Sequence, residues 1–321
     1  MKGHIHVTLS NRRVRYDFTI HRNITIIQGD SATGKTTLLS MISDYYNLGE
    51  SSGVTLSCEK PCVTLAGRNW QTLLPAIRDS LVFIDEGNEF VNSEDFARAI
   101  QGTDNYYIIV TREALHQLPY SVTEIYGLRE SGKYGHLKQT YNEMFHLYGR
   151  KNYNREITPA TLITEDKGAG FDFFDHVSRT HKIHCLSAGG KSNIFKLLSH
   201  LPSEQELLII ADGAAFGSEI GRISLYLKTH PSIYLYLPES FEWLILSSAI
   251  IPDSNIPKIL EDPASHIESS RYMSWERYFT HLLIETTRGT YLEYSKSRIN
   301  PNYCQPTAEN RILKQISGIK F

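Results

Sequence analysis

The sequence predicts an α/β fold arranged in two domains, and three observations support this prediction. A glycine-rich turn at residues 29–36 lies between an apolar stretch and a helical pattern. Between residues 162 and 237, short apolar stretches alternate with helical patterns, as expected for parallel strands joined by helices. The chain has 321 residues, more than a typical single domain. The predicted parts are a first parallel-sheet domain at 1–135, a linker at 136–156, a second parallel-sheet domain at 157–250 and a helical C-terminal extension at 251–321.

The composition limits the classes of partner. The formal net charge is −2, so the chain has no overall positive field, and contact with DNA or RNA would need a local basic patch. No apolar run reaches the roughly 18 residues that a membrane span requires, and the first residues lack the apolar core of a signal peptide. We therefore expect a cytoplasmic protein with no membrane partner.

The four cysteines are few and scattered, which agrees with a reducing compartment. Only Cys58 and Cys62 are close in sequence. A zinc site needs four ligands and no second pair of this kind is present, so we expect these two residues in a plain hairpin without zinc.

The turn at residues 29–36 is a complete G-x-x-x-x-G-K-[ST] motif between strand residues 24–27 and a helical pattern. In this motif backbone N–H groups surround phosphate, Lys35 supplies a cation to the β- and γ-oxygens, and the Thr36 hydroxyl binds Mg²⁺. The sequence therefore predicts binding of a nucleoside triphosphate. The predicted binding residues are Gly29, Asp30, Ser31, Ala32, Thr33, Gly34, Lys35, Thr36 and Thr37.

Residues 4–20 alternate as in a hairpin, and residues 80–86 form an apolar run that ends in Asp85 and Glu86. A buried parallel strand of this kind delivers carboxylates to the carboxyl edge of a sheet, as a Walker B strand does. The prediction is that Asp85 holds Mg²⁺ and Glu86 orients the attacking water.

A third strand at 106–111 ends at Thr111-Arg112, and another at 122–128 contains Ile125-Tyr126-Gly127-Leu128. With the two earlier motifs, this pattern resembles ATP-binding-cassette and related defence ATPases, in a reduced or AAA-like form. That family has a polar residue after this strand that senses the γ-phosphate, often followed by histidine. Arg112 stands at the histidine position, either as a phosphate contact with a catalytic role or as an ordinary surface arginine.

Two other phosphate-loop architectures are less consistent with the sequence. Only about fifty residues separate Lys35 from Asp85, too few for the cassette's helical arm. The signature-like string at residues 186–190 precedes a strand ending at Asp212, but Gly213 follows where a cassette has an acid. A nucleotide kinase would need an arginine-rich lid, which residues 37–80 do not supply.

In the second domain, polar residues follow each predicted strand: Glu165 and Asp166, a glycine turn ending at Lys191, Asp212, and then Glu239 and Glu242. The carboxyl ends of parallel strands meet at one edge, so these groups are candidates for a Mg²⁺ site.

This pattern resembles a Toprim domain, the metal-binding module of topoisomerases, primases and the overcoming-lysogenization-defect nucleases. The resemblance implies Glu165 and Asp212 as metal ligands and a glycine turn at residues 189–191. The family's second aspartate is replaced by Ala214, so Asp166, Glu219 or Glu242 would have to supply the missing ligand.

Near the C-terminus, Lys296 and Arg298 lie in a stretch rich in tyrosine at residues 291–303. These residues belong either to a contact with a nucleic-acid backbone or to a solvated helical cap.

The combined resemblance is to phage-defence and mobile-element proteins that join an ATPase to a Toprim domain. It implies ATP and Mg²⁺ as cofactors. One hypothesis is an ATP-regulated nuclease acting on DNA or RNA through Glu165 and Asp212. The other is a nucleotide-dependent switch, with a partner protein or a second copy of the chain, in which the Toprim half is inactive.

Overall fold

The structure, a computed structural model, describes residues 1–29, 34–131, 139–149, 156–201 and 205–321. The chain divides into two compact units, which both belong to the α/β class. Unit 1 comprises Met1–Gly149 and Asp262–Ser274, and unit 2 comprises Arg150–Glu261 and Trp275–Phe321. The α/β class and the presence of a parallel sheet in the second half confirm the coarse prediction.

In its described residues, unit 1 contains one nine-stranded sheet and three α-helices. Its strands are β1 (Ile5–Ser10), β2 (Val14–Ile20), β3 (Ile24–Ile27), β4 (Thr55–Ser57), β5 (Cys62–Thr64), β6 (Leu81–Ile84), β7 (Tyr106–Val110), β8 (Ile125–Glu130) and β9 (Thr140–His146). Its helices are α1 (Lys35–Leu48), α2 (Trp70–Leu73) and α3 (Glu94–Ala99). The strand order across the sheet is β4-β1-β2-β9-β8-β3-β7-β6-β5.

The sheet is mixed, which corrects the prediction of a parallel first sheet. Strands β8, β3, β7, β6 and β5 pair in parallel. The pairs β1/β2, β1/β4 and β8/β9 are antiparallel, while β2 and β9 are parallel. The predicted hairpin at residues 4–20 is therefore confirmed, and it extends the sheet on the side of β8.

The two outer strands of this sheet are neighbours in the chain. β4 pairs with β1 and β5 pairs with β6, so Cys58 and Cys62 do not form the expected hairpin. Only residues 58–61 connect these strands, and so short a segment spans at most about 18 Å. The sheet must therefore curl until its two edges approach each other.

Helix α1 fills the inside of this curl. Its residues Leu38, Leu39, Met41 and Ile42 are buried in one apolar cluster with side chains from strands on both sides of the sheet. Those strand residues include Leu9, Tyr16, Ile27, Cys62, Leu81, Phe83 and Leu128. Because α1 is enclosed in this way, its first turn has a fixed position at the carboxyl end of β3.

Unit 2 contains a four-stranded parallel sheet with the order β11-β10-β12-β13. Its strands are β10 (Thr161–Thr164), β11 (His184–Ser187), β12 (Leu207–Ile210) and β13 (Ile233–Tyr236). Its helices are α4 (Ala169–His181), α5 (Lys191–Leu198), α6 (Gly217–Thr229), α7 (Phe241–Ser247), α8 (Ile256–Glu261), α9 (Trp275–Thr287) and α10 (Pro306–Leu313). The alternation of strands and helices predicted between residues 162 and 237 is therefore confirmed.

The boundaries of the two units differ from the predicted ones. The expected linker at 136–156 contains strand β9, which pairs with β8 and β2; its residues 136–138 and 150–155 lie outside the described part. The expected C-terminal extension at 251–321 is divided, because Asp262–Ser274 belongs to unit 1. Within unit 1 this segment receives two hydrogen bonds from the Asn23 amide, at the carbonyls of Ser269 (3.2 Å) and Tyr272 (3.1 Å).

Among the residues that the structure describes, no helix combines the length and the apolar character needed to cross a membrane.

Candidate functional site

The predicted phosphate loop joins β3 to α1. Gly29 and Gly34 both have positive φ angles, 134° and 93°, which glycine adopts without strain. Asp30, Ser31, Ala32 and Thr33 lie outside the described residues. Gly34 is the N-cap of α1, whose first turn contains no acidic residue, so nothing in that described turn repels an anion.

Lys35 is the first residue of α1 and is buried despite its charge, with 6% of its surface exposed. Its Nζ donates a hydrogen bond to the carbonyl oxygen of Gly29, at 2.7 Å. The lysine therefore spans the loop from its last residues to its first. Thr36 and Thr37 follow it on α1, and both are exposed.

Tyr16, which the sequence analysis did not single out, positions the end of the loop. Its hydroxyl, on β2, donates a 2.7 Å hydrogen bond to the carbonyl of Gly34. Burial raises the pKa of Tyr16 to about 12, against hydrogen bonds with the side chains of Thr37 and Asn142. Asn142 is the partner of Tyr16 across β2 and β9, so it comes from the segment expected to be a linker.

A Cβ atom at Gly34 would lie 3.0 Å from the Tyr16 hydroxyl oxygen. Close approach of this kind, with the positive φ, explains why glycine stands here. The hydrogen bond from Tyr16 to Gly34 is a tertiary contact, and a single tyrosine in an alternating strand carries no such signal.

Strand β7 lies between β3 and β6, so the loop, Thr111 and Asp85 follow three adjacent strands. Ile27 pairs with Val110, and Ile84 pairs with Ile109. The Thr111 N–H continues this alignment by donating to the Ile27 carbonyl at 3.2 Å. The structure thus brings Asp85 and the strand end before Arg112 to the same edge as the loop, as the sequence predicted.

Glu86 and Arg112 form a two-point ion pair. The Arg112 Nε lies 3.0 Å from Glu86 Oε2, and its Nη2 lies 3.1 Å from Glu86 Oε1. Both side chains are largely in solvent, with 57% of Arg112 and 39% of Glu86 exposed. An exposed pair of this kind stabilises the fold by less than about 1 kcal/mol, so it separates at little cost.

The donors near the loop fit Mg²⁺ bound together with a nucleotide. Magnesium commonly takes one or two carboxylates or hydroxyls from the protein and the rest of its oxygen ligands from phosphate and water. Thr36 and Asp85 supply one hydroxyl and one carboxylate. The Asp85 Oδ1 accepts a 2.8 Å hydrogen bond from the Glu86 N–H, which orients this carboxylate.

In unit 2, Glu165 and Asp212 follow the neighbouring strands β10 and β12 and lie together. The Asp212 N–H donates to Glu165 Oε2 at 3.0 Å, and the Phe241 N–H donates to Asp212 Oδ1 at 3.2 Å. A small cavity of about 20 Å³ is lined by both acids and by the rings of Phe174 and Phe241. The structure therefore brings together the two acids that the resemblance implied.

Five carboxyl groups of unit 2 interact electrostatically, and we call them the acidic cluster: Glu165, Asp166, Asp212, Glu242 and Glu276. Burial, followed by the charge of Glu276 and Glu165, raises the pKa of Asp212 well above its ordinary value. Burial and Glu242 likewise raise the pKa of Asp166. Glu276 comes from α9, in the expected helical extension, and sequence analysis did not connect it with the site.

Two lysines balance part of this charge. Lys191, at the end of the glycine turn after β11, donates a hydrogen bond to the Ala215 carbonyl at 2.7 Å. Burial lowers the pKa of Lys191, and the charges of Glu165 and Glu219 partly offset this by raising it. Lys296 pairs with Glu276 and lies 3.9 Å from Glu242 Oε1. Lys296 was considered above for contact with nucleic acid; its ammonium instead faces the acidic cluster.

The acidic cluster as arranged does not fit Mg²⁺. Within the described residues, no group of three or more His, Cys, Asp or Glu side chains is placed to hold a metal ion. One oxygen of each predicted ligand accepts a backbone hydrogen bond, and Lys296 supplies a positive charge to the same group of acids. Ala214, at the position of the missing aspartate, is buried and adds no ligand.

Comparison with known proteins adds no family assignment: no protein-family model matches the chain. A search of curated proteins likewise found no match. Proposals about its function therefore rest on its motifs and on the geometry described above.

We predict that Tyr16→Phe weakens nucleotide binding. The change removes the Tyr16 hydroxyl as a donor to the Gly34 carbonyl, which keeps the Leu38 N–H at 2.9 Å. The loss of this one hydrogen bond costs about 0.5–1.5 kcal/mol and loosens the end of the loop, so ATP affinity measured by calorimetry should fall about 2- to 10-fold. The control is Tyr106→Phe, a buried tyrosine at the start of β7, which should leave ATP affinity unchanged. Equal affinities in wild type and Tyr16→Phe would contradict this role.

A second prediction concerns the pH dependence of unit 2. Burial raises the pKa of Glu165 from its ordinary 4.5 to about 7; Glu276 and Asp166 add to this shift, and the Asp212 N–H and Lys191 oppose it. The folded state therefore holds a proton that the unfolded chain has already released, so stability falls as pH rises from about 4.5 to about 7. In Glu165→Gln the melting temperature, measured in chelator, should fall less over this interval than in wild type. Parallel curves would contradict the assignment.

Proposed function

We propose that unit 1 binds a nucleoside triphosphate with Mg²⁺ and hydrolyses it. The main supporting observation is the buried Lys35, held at the entrance of α1 by the Gly29 carbonyl, beside a strand edge that carries Asp85 and Glu86. Lysine is seldom buried unless its charge is paired, and a phosphate loop requires a lysine at this position to pair with phosphate. ATP is the expected nucleotide from the resemblance to defence ATPases.

On this proposal, Lys35 exchanges its bond to Gly29 for a bond to the β- and γ-phosphate oxygens. Thr36 and Asp85 hold Mg²⁺, which neutralises charge on the phosphates. The end of the loop at Gly34 is already held by α1 and by the Tyr16 hydroxyl.

The ion pair between Glu86 and Arg112 restrains the Glu86 carboxylate when no nucleotide is bound. A γ-phosphate carries more negative charge than a carboxylate and competes for the guanidinium. Transfer of Arg112 to phosphate would release Glu86 to orient or deprotonate the attacking water. In the absence of nucleotide, the ion pair thus keeps the Glu86 carboxylate from orienting or deprotonating water.

For unit 2, the buried Ala214 and the ammonium of Lys296 support the role of a nucleotide-dependent switch or partner-binding module. The partner would be another protein or a second copy of the chain. Such a module needs the parallel sheet and its carboxyl edge, but it does not need a metal.

A metal-dependent nuclease, acting on DNA or RNA, is the second candidate. One observation favours it: Glu165 and Asp212 are adjacent, with a 3.0 Å hydrogen bond between them, at the edge where the resemblance requires them. Both candidates are compatible with an ATPase in unit 1 of a phage-defence or mobile-element protein.

The ATPase proposal predicts different effects for its two central residues. Lys35→Ala should lower both ATP affinity and phosphate release about 100-fold or more, because it removes the phosphate cation. Glu86→Gln should retain ATP binding and lower turnover about 100- to 10,000-fold. Glu94→Gln, an exposed acid at the start of α3, is the matched control and should behave as wild type. Normal turnover by Glu86→Gln would refute its assigned role.

The nuclease candidate is tested on a gel, with linear and circular DNA and with RNA, in Mg²⁺ or Mn²⁺ and with or without ATP. A nuclease requires cleavage by wild type, loss of cleavage in Asp212→Ala, and faster cleavage in Ala214→Asp. The switch predicts intact nucleic acid for wild type and for both variants. Asp175→Ala, on the α4 helix of the same unit, serves as the control.

A further inference from the structure

The acidic cluster of unit 2 is accompanied by a lysine from a distant part of the chain. Lys296 pairs with Glu276, lies 3.9 Å from Glu242, and is also within electrostatic reach of Asp166 and Asp212. Its side chain is 44% exposed, whereas that of Glu242 is 2% exposed. The ammonium therefore lies at the solvent side of the cluster, above its most buried carboxylate.

The segment around Lys296 is fixed in place by contacts within unit 2. The Lys296 carbonyl accepts a 2.9 Å hydrogen bond from the Ala169 N–H at the start of α4. A Cβ atom at Gly168 would collide with this carbonyl, so the close approach depends on glycine. On the far side, the Ile299 N–H donates to Asp172 at 3.1 Å. Lys296 is thus held over the cluster by its own backbone and does not merely lie near it.

Glu242 gives an independent indication that this place requires a cation. Its Oε1 accepts a 2.9 Å hydrogen bond from the Tyr294 hydroxyl. Its Oε2 is buried and has no hydrogen-bond partner among the described residues. A buried carboxylate oxygen without a donor is unfavourable unless a positive charge lies close by, and the Lys296 Nζ lies 3.9 Å from the other oxygen of this carboxylate, Oε1.

We propose that the Lys296 ammonium takes the place that a divalent metal ion would have in a Toprim domain. With the lysine present, the acidic cluster has no vacancy for Mg²⁺ or Mn²⁺. With the lysine replaced by a neutral side chain of similar length, Glu242 and Glu276 lose their cation and move toward Glu165 and Asp212. The rearranged acids then bind a divalent cation, with Glu242 and Glu276 in place of the aspartate lost at Ala214.

The charges of the cluster agree with this assignment. Burial alone lowers the pKa of Lys296, but Glu242 and Glu276 more than offset this and raise it above its ordinary value. The lysine is therefore charged over the whole range in which the acids ionise. Lys191 is bound to the Ala215 carbonyl and does not contact Glu242, so it is not a second cation for that carboxylate.

The experiment is a calorimetric titration with MnCl₂ on the full chain without nucleotide. All proteins carry Asp85→Asn, which removes the predicted metal ligand of unit 1, so the result does not depend on the ATPase proposal. We expect no binding by this background protein at about 1 mM Mn²⁺, and one site of Kd near or below about 0.1 mM after addition of Lys296→Met.

Three further variants serve as controls for Mn²⁺ binding by Lys296→Met. Lys228→Met, an exposed lysine on α6, should leave the background unchanged. Lys296→Arg keeps the charge and should also bind no Mn²⁺. Glu242→Gln added to Lys296→Met should abolish the new site.

Thermal unfolding supplies a second readout. Lys296→Met should melt roughly 5–15 °C below the background protein in chelator, because buried carboxylates lose their cation, and Mn²⁺ should restore most of this loss. If Lys296→Met is unfolded in chelator, the same prediction applies to refolding on addition of Mn²⁺. The double variant Lys296→Met with Glu276→Gln should melt above Lys296→Met.

Two outcomes overturn the proposal. The first is Mn²⁺ binding of equal affinity before and after Lys296→Met, which would instead support the metal-dependent nuclease. The second is a folded Lys296→Met protein that neither binds Mn²⁺ nor loses stability in chelator.

Discussion

The enclosure of α1 by the curled sheet is the constraint on which unit 1 depends. Residues 58–61 are so few that β4 and β5, at opposite edges of nine strands, have to approach each other. The helix packs in one apolar cluster with strands from both halves of the sheet, and its apolar residues supply burial that keeps the sheet closed. The first turn of this helix is also the end of the predicted phosphate loop. The burial of α1 therefore both stabilises the unit and fixes the position of that end of the loop.

Unit 2 shows the opposite relation between stability and chemistry. Its sheet is an ordinary parallel arrangement, but its carboxyl edge gathers five acids in a poorly solvated place. Like charges brought together under low solvation must be protonated or neutralised. Both occur here: the pKa values of Glu165, Asp166 and Asp212 are raised, and Lys296 places a positive charge at the solvent side of the acidic cluster.

The sequence predicted those parts whose signals are local. The strand before Asp85 and the alternation of unit 2 each depend on neighbouring residues, and the structure contains both. The phosphate-loop motif is equally local, and the structure contains the strand and the helix on either side of it, while residues 30–33 lie outside the described part. The curl of the first sheet was not predictable, because it follows from which strands pair and not from the pattern of any one strand. The failed hairpin at Cys58 and Cys62 has the same origin: two short strands close in sequence form a hairpin unless stronger partners exist elsewhere, as β1 and β6 do here.

The missed site residues have a similar explanation. Tyr16 reaches the loop across a strand pair, and Glu276 reaches the acidic cluster from a helix far along the chain. Neither side chain belongs to a local motif, and only tertiary structure assigns them a partner. Lys296 was noticed as a charge, but its role depends on where its backbone is anchored, and that anchor is a glycine more than one hundred residues away.

The division of unit 1 into Met1–Gly149 and Asp262–Ser274 has a consequence for synthesis on the ribosome. The Asn23 side chain cannot bond to the carbonyls of Ser269 and Tyr272 until most of unit 2 has been synthesised. Unit 2 in turn is incomplete until residues 275–321, which include Glu276 and Lys296, have been synthesised. Neither unit is complete while the other is still entirely unsynthesised, so the two units should reach their final structure late and almost together.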